Sequence, residues 1–406
     1  MKHYSFIMAC AMACMMASCN NAASTASADP NADNAEKWTA DQRATIESIK
    51  AVDGSDGHLF EMTYTADYKL DTMLAEGCGS LPEAMQLLYK QLLPESRVLL
   101  GDASTQGVGC STFSAASSDG GYVLGRNYDY PVGGKYYMVV KCNPKVGYKS
   151  IGVADLSALM EKPDSINPFN TVRNQEITLF APYSVLDGIN ETGFMCSFMQ
   201  LEYSSTMQNR GKTKLLSNWV TRLLLDKCKT VEEGIALMDQ YDMQSIFQKE
   251  DMDLHYILAD AQGDRAIVEY VDNEMHVLRA PELVGQKAPY VLSTNFYLTP
   301  GTRMTPEEGL KHKELGYWRF DVMNDSLKNN PTPSIKEAMD YMRSVRILYN
   351  DQDEIAALKA LGKDPTKFES WSWMTLWSSV YSSKNLSLDL CIRENYDKKF
   401  SFKIDK

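Results

Sequence analysis

Cys110 is the residue on which chemistry can be built. It follows a polar, glycine-bearing stretch at 101–109 and opens a run, 110–116. Ser118-Asp119-Gly120-Gly121 separates that run from a second one at 122–128. Asp-Gly between two such runs predicts a hairpin. With Asp119 and Gly120 as a two-residue turn, Cys110 falls directly opposite Asp129. Cross-strand neighbours on one face approach within about 5 Å, so the spacing predicts a thiol beside a carboxylate at the open end of a hairpin. Arg126 is near in sequence, but strict alternation turns it to the other face, and a bend at the strand end would be needed to bring it round.

Attack on a carbonyl requires a thiolate, and a positive neighbour lowers a thiol's pKa. A free α-amine, with a reference pKa of about 8, can itself take the thiol proton. Nucleophile and base then sit in one residue. This demands that Cys110 become a new N-terminus by cleavage after Gly109, a residue type that lets the backbone bend sharply. The polar loop before Cys110 suits such a cut. Asp129 would then hold the amine.

Several other residues have plain readings beside the chemical ones. A strand cysteine is most often core. Asn295 alone reads as a turn residue and Arg319 as a surface ion-pair partner. His255, within Leu-His-Tyr-Ile-Leu, reads as a satisfied core histidine. Asn190 with Gly193 reads as a turn between strands, and Trp371, Trp373 and Trp377 read as core.

The elements that must position these residues follow from periodicity. Thr39 caps a helix predicted over 39–52, residues 61–68 alternate like a strand, and 82–93 carries apolar residues at helical spacing. After Cys110, strands are predicted at 136–142, 149–153 and 194–198, then helices at 214–227 and from Thr230, which opens a Thr230…Glu233 capping box. Runs at 254–259 and 266–270 flank 260–265 as a second hairpin. Ser334…Glu337 caps another helix, and 386–393 with 399–404 form a closing strand pair. Strand runs, helix pairs and further strands indicate an α+β layered domain.

At this point the chain resembles a family. Gly-Cys-Ser-Thr-Phe at 109–113 and Leu-Gly-Arg-Asn-Tyr-Asp at 124–129 are similar to the choloylglycine hydrolase relatives among the linear amide C–N hydrolases, which include bile salt hydrolases and penicillin V acylases. Three blocks follow in order: Asp-Gly-Ile-Asn-Glu-Thr-Gly-Phe at 187–194, Leu-His-Tyr-Ile-Leu-Ala-Asp at 254–260 and Leu-Ser-Thr-Asn at 292–295. The resemblance covers most of 110–406. It implies a four-layer αββα Ntn-hydrolase sandwich and a hydrolase of carbon–nitrogen bonds other than peptide bonds, in linear amides. It implies Cys110 as nucleophile, Arg126 and Asp129 as organisers of thiol and amine, Asn295 as oxyanion donor, and Arg319, in Gly-Tyr-Trp-Arg, as the late active-site arginine. Gln200 stands where bile salt hydrolases usually place Asn; its backbone N–H can still serve the oxyanion, while selectivity would change. The long stretch before Cys110 is more similar to acid ceramidase and its relatives, which cut themselves into two chains that stay together.

The remaining features bound location and partners. Lys2 and His3 precede a mostly apolar stretch, 4–17, too short for a permanent span. It ends in Met16-Ala17-Ser18-Cys19, similar to a bacterial lipoprotein box, so the expectation is a signal over 1–19 with Cys19 lipidated, and an exported protein of the periplasm or cell surface. An ordinary secretory signal cut nearby is the plainer alternative. A flexible tether at 20–37 comes next, then an N-terminal chain or propeptide at 38–109 and the catalytic domain at 110–406. With 53 acidic against 41 basic residues and a net charge of -12, nucleic acid is not an expected partner. The expected partners are a small N-acyl amide (bile-salt-like, N-acyl amino acid or fatty-acid amide), the membrane only through Cys19, and the two chains of one precursor; a homo-oligomer stays open. No CxxC pair exists among the nine cysteines, so neither metal nor cofactor is expected, and six scattered cysteines read as buried thiols. Two rival readings stand beside the amidase. One is a papain-like peptidase using Cys110, His255 and Asn295, although such a nucleophile opens a helix and here a hairpin follows. The other is a surface binding lipoprotein without chemistry. Loops 130–135 and 200–212 are expected to shape the substrate pocket.

Overall fold

The computed structural model describes residues 32–94, 96, 109–131, 136–157, 159–160, 167–202, 206–246, 252–279, 289–300, 316–348 and 373–405. Two sheets dominate it. The larger has nine strands in the order β1 (Lys50–Ala51), β2 (Leu59–Tyr64), β5 (Tyr137–Cys142), β6 (Ser150–Asp155), β7 (Val185–Asn190), β8 (Met195–Glu202), β11 (Met252–Ala259), β12 (Arg265–Val271) and β13 (Glu274–Leu278). The smaller has six, in the order β14 (Tyr290–Ser293), β3 (Gly109–Ala116), β4 (Tyr122–Pro131), β15 (Trp373–Ser382), β16 (Ser387–Ile392) and β17 (Phe400–Lys403). A short parallel pair, β9 (Thr213–Leu216) with β10 (Tyr241–Gln244), lies apart from both.

Three apolar clusters define four layers. Along β5, Tyr137 and Val139 join the cluster between the sheets, while Met138 and Val140 face the opposite way. Strands buried on both faces lose their polar alternation, which explains why this one reads as a continuous apolar run. The outer face of the large sheet packs under α1 (Ala40–Glu47), α2 (Leu70–Glu76), α3 (Leu81–Leu92), α5 (Val220–Lys227) and α6 (Val231–Met238); α4 (Val172–Thr178) lies in the same layer. The outer face of the small sheet packs under α7 (Tyr317–Asn329) and α8 (Ile335–Ser344), through Met323, Leu327, Met339 and Met342. Burying each such side chain contributes about 1.5–3 kcal/mol. The result is the αββα sandwich that the resemblance implied.

The capping signals mark helix starts. Thr39 and Ser334 each form a complete capping box, with Gln42 and Glu337 respectively, and Thr230 accepts from the Glu233 amide. Both predicted later strand pairs form, β11 with β12 and β16 with β17. Other expectations need correction. The helix from Thr39 ends at Glu47, and residues 50–51 are a strand. The strand at 61–68 lies at Leu59–Tyr64. The helix at 214–227 starts only at Val220, because 213–216 pair with β10.

The main correction concerns the central hairpin. Its last strand pair is Ala116 with Tyr122, so the loop holds five residues rather than two. The Gly120 amide donates to the Ser117 carbonyl at 2.9 Å, and both Gly120 and Gly121 adopt left-handed φ, 92° and 67°. The second left-handed glycine consumes one residue more than a two-residue turn does. The register therefore slips by one: Cys110 faces Tyr128, and Asp129 faces Gly109. A one-residue slip moves every side chain to the other face. Arg126 thus shares the inter-sheet face with Cys110 and needs no bend, while Asp129 points outward toward the helix layer.

Candidate active site

Cys110 sits at the start of β3, 1% exposed, with its thiol in the core between the sheets. The Arg126 guanidinium lies 3.5 Å from its sulfur and also donates to Asp187 Oδ1 at 3.0 Å and the Phe198 carbonyl at 3.2 Å. Asp187 in turn accepts from the Ser379 and Tyr381 hydroxyls, each at 2.7 Å. The arginine is therefore pinned from β7, β8 and, through Asp187, β15. Burial pushes the Cys110 thiol up; Arg126 opposes it, Asp129 adds to it, and Arg319 and the Gln200 backbone N–H oppose it, the net result being upward. The thiol thus lies beside a buried cation, with burial opposing its ionisation and Arg126 favouring it.

The backbone of Cys110 is held from the opposite side. β14 pairs with β3 as far as Ser293 with Thr112; continuing that register brings Asn295 level with Cys110. Asn295 Oδ1 accepts from the Cys110 N–H and from Arg319, both at 2.8 Å. Its Nδ2 donates to the Gln200 carbonyl at 2.8 Å. Arg319, on the first turn of α7, donates to the Cys110 carbonyl at 2.7 Å, Ser111 Oγ at 3.0 Å and Asp129 Oδ2 at 2.8 Å. Thr375 donates to the other Asp129 oxygen at 2.6 Å. Burial lifts the Asp129 carboxyl above its ordinary range, with Arg319 and Thr375 pulling against it. Breaking a buried pair of this kind costs about 3–5 kcal/mol.

Gln200 reaches the site through its main chain. β8 outruns its pairing with β7, which ends at Ser197 with Asp187. The peptide groups beyond that point on the β7 side are left without a strand partner. Side chains of the small sheet take them instead, Arg126 at Phe198 and Asn295 at Gln200.

All six residues predicted from the sequence, Cys110, Arg126, Asp129, Gln200, Asn295 and Arg319, meet here, and Gly109 precedes Cys110 in an unbroken strand. The grouping differs in one respect: Asp129 lies on the helix side of the sheet and holds Arg319, which donates to the Cys110 carbonyl, and does not share the face of the thiol. Asp187, Thr375, Ser379 and Tyr381 were missed. Asp187 opened one of the quoted sequence blocks; the others lie on β15, which none of those blocks covers. His255 does not join the thiol. Its ring nitrogens contact Glu269 Oε1 at 3.1 Å and the Thr294 carbonyl at 2.7 Å, and Ser293 Oγ lies beside them. With that ring committed elsewhere and Cys110 on a strand, the papain-like arrangement is not the one observed. Trp377 is fully buried core, whereas Trp371 and the Trp373 side chain lie outside the described residues. So do Cys19, most of the 101–109 loop, 132–135 and 203–205. The six described cysteines are buried and free of disulfides. Among the described residues no cluster of His, Cys, Asp and Glu could hold a metal, and no helix is long and apolar enough to cross a membrane.

A penicillin V acylase of Pectobacterium atrosepticum is 32% identical over 99 residues, covering 22% of this chain and 26% of that protein. The chain thus matches about a quarter of the length of this curated relative. The conjugated bile acid hydrolase of Clostridium perfringens superposes with a TM-score of 0.45 at 13% identity, over 73% of this chain and 92% of that one. Penicillin V acylase of Agrobacterium tumefaciens gives a TM-score of 0.45 at 17% identity, over 73% and 86%. The model of the linear amide C–N hydrolases, choloylglycine hydrolase family, matches residues 110–308, the stretch that runs from Cys110 through Asn295.

Proposed function

We propose that the protein is an exported hydrolase of linear, non-peptide carbon–nitrogen bonds, acting on a small N-acyl amide through Cys110 as an N-terminal nucleophile freed by cleavage after Gly109. The observation that carries this reading is the division of labour around one residue. The Cys110 thiol faces Arg126 and the Gln200 N–H, while its nitrogen lies on Asn295 and its carbonyl on Arg319.

Once Gly109 is detached, the Cys110 nitrogen becomes an amine. It takes the thiol proton, and Arg126 stabilises the thiolate. Attack on the substrate carbonyl moves negative charge to its oxygen, toward the Gln200 N–H and an Asn295 Nδ2 hydrogen. The ammonium then gives its proton to the departing amine, leaving a thioester. Water, deprotonated by the same amine, cleaves the thioester and regenerates the thiol. Asp129, tied to Arg319 and Thr375, keeps the amine's surroundings rigid. The signal-like start supports export, with Cys19 as the proposed lipid anchor.

Intact-mass analysis of the expressed protein tests the reading. The expected result is a large chain beginning at Cys110 and a small one ending at Gly109, with the small chain beginning at lipidated Cys19. The Cys110→Ala variant should stay one chain and hydrolyse no amide. Scission of that variant at the same bond would show that another agent makes the cut, and a small chain retaining residues 1–18 would remove the lipoprotein claim.

A further inference from the structure

Asp253 is fully buried, and among the described residues its carboxylate oxygens meet no hydrogen-bond donor beyond the amide of the next residue, Leu254. Other buried carboxylates are committed: Asp187 to Arg126, Asp129 to Arg319, Asp226 to Tyr68, and Glu269 to His255 and the Leu298 and Thr299 amides. Native structures rarely leave such a group unsatisfied without a reason. Burial pushes its carboxyl well above the usual range; the adjacent Leu254 amide opposes this and Glu269 adds to it.

Its position ties it to the nucleophile. On β11, Asp253 pairs with Leu201 and His255 with Met199. Met199 and Ile257 belong to the inter-sheet core, and residues two apart on a strand share a face, so Asp253 points between the sheets. The pair next to it joins Leu254 to Gln200, the residue whose amide faces the thiol. Cα atoms of β11 and β3 come within 8 Å of each other. Asp253 therefore lies diagonally across the β8–β11 ladder from Gln200, whose amide faces the Cys110 thiol. The cations of the site are already spent. Arg126 holds Asp187 and Phe198, and Arg319 holds Asp129, Asn295 and the Cys110 carbonyl. Among the described residues the uncommitted charge-bearing group at this end of the sandwich is an acid.

We propose that Asp253 is a specificity-determining residue of the amidase site: it receives a cationic hydrogen-bond donor, an ammonium or guanidinium, carried by the N-acyl amide, and it disfavours substrates bearing a carboxylate or sulfonate at that place. The inference rests on the amidase reading and narrows its substrate class. A docked cation stabilises the ionised carboxylate and offsets its desolvation, whereas an anion brings its own uncompensated charge into the same buried place.

The test measures kcat/KM of the processed protein on fluorogenic N-acyl amides matched in length and ending in ammonium, hydroxyl, methyl or carboxylate, with the end group placed in the acyl part or in the amine part. The wild type should favour ammonium over methyl by roughly 10- to 100-fold, the worth of one hydrogen bond to a charged group. Asp253→Asn and Asp253→Ser should abolish that preference and narrow the gap to carboxylate, while self-cleavage at Gly109 reports that each variant folds. A short alkyl diamine should inhibit the wild type more strongly than the matching monoamine, a readout that needs no variant. An unchanged ammonium-to-methyl ratio in a processed variant overturns the proposal, as does a wild-type preference for carboxylate. If the wild type hydrolyses no member of the panel, the amidase reading itself falls, and this inference with it.

Discussion

With one side chain, Asn295 contacts both Cys110 and Gln200. In the unbroken chain its oxygen accepts from the Cys110 N–H and its nitrogen donates to the Gln200 carbonyl. The amide nitrogen carries two hydrogens, so an oxyanion can receive the second without dismantling the first contact. A preorganised donor aimed at developing charge raises the rate of chemistry more than it tightens substrate binding. Asn295→Ala, assayed on material already processed, should lower kcat by about 100-fold with a smaller change in KM. Steady-state kinetics check this. A near-normal kcat would assign the oxyanion to the Gln200 amide and to groups other than Asn295.

At the scale of elements, the site depends on how α7 begins. Its N-cap, Gly316, has a left-handed φ of 72°, and no side chain caps the helix. A Cβ there would come within 2.7 Å of an Arg319 guanidinium nitrogen and 3.0 Å of Thr294 Cβ. The nearest atom belongs to a flexible side chain, but that chain end is the one that holds Cys110, Asp129 and Asn295. Gly316→Ala should therefore cost about 1–2 kcal/mol in backbone strain and also slow self-cleavage by displacing Arg319. Denaturant titration and a time course of processing read the two effects separately. A variant that is destabilised but cut at the normal rate would show that Arg319 tolerates displacement.

At the scale of the whole molecule, the segment before Cys110 is not an appendage. β2 pairs in parallel with β5 along six residues and lies inside the large sheet, between β1 and β5. Phe60, Met62, Leu87 and Leu88 share a core with Met138, Val140 and Phe180. Cutting one peptide bond removes none of this apolar burial. The two chains should co-elute in size-exclusion chromatography after scission and part only in denaturant. Loss of the small chain from native, active protein would make this segment a discarded propeptide.

The sequence by itself determined the residue types of the site, the order of its blocks, and the local signals that depend on near neighbours. Thr39, Thr230 and Ser334 marked helix starts because capping is settled within four residues. Cys110 and Asp129 were legible as a pair near one hairpin mouth, but their faces were not. Whether the loop has two residues or five depends on which glycines turn left-handed, and contacts from distant residues help settle that: Asp119 accepts from the Ile335 amide, and Lys384 donates to the Asp119 carbonyl. Only the tertiary structure decided that Arg126 reaches the thiol, that Asn295 stands level with Cys110 across β14 and β3, and that Arg319 arrives from a helix with no capping side chain to announce it. These contacts join residues that lie far apart in the chain, and sheet order and register bring them together, which no local periodicity encodes.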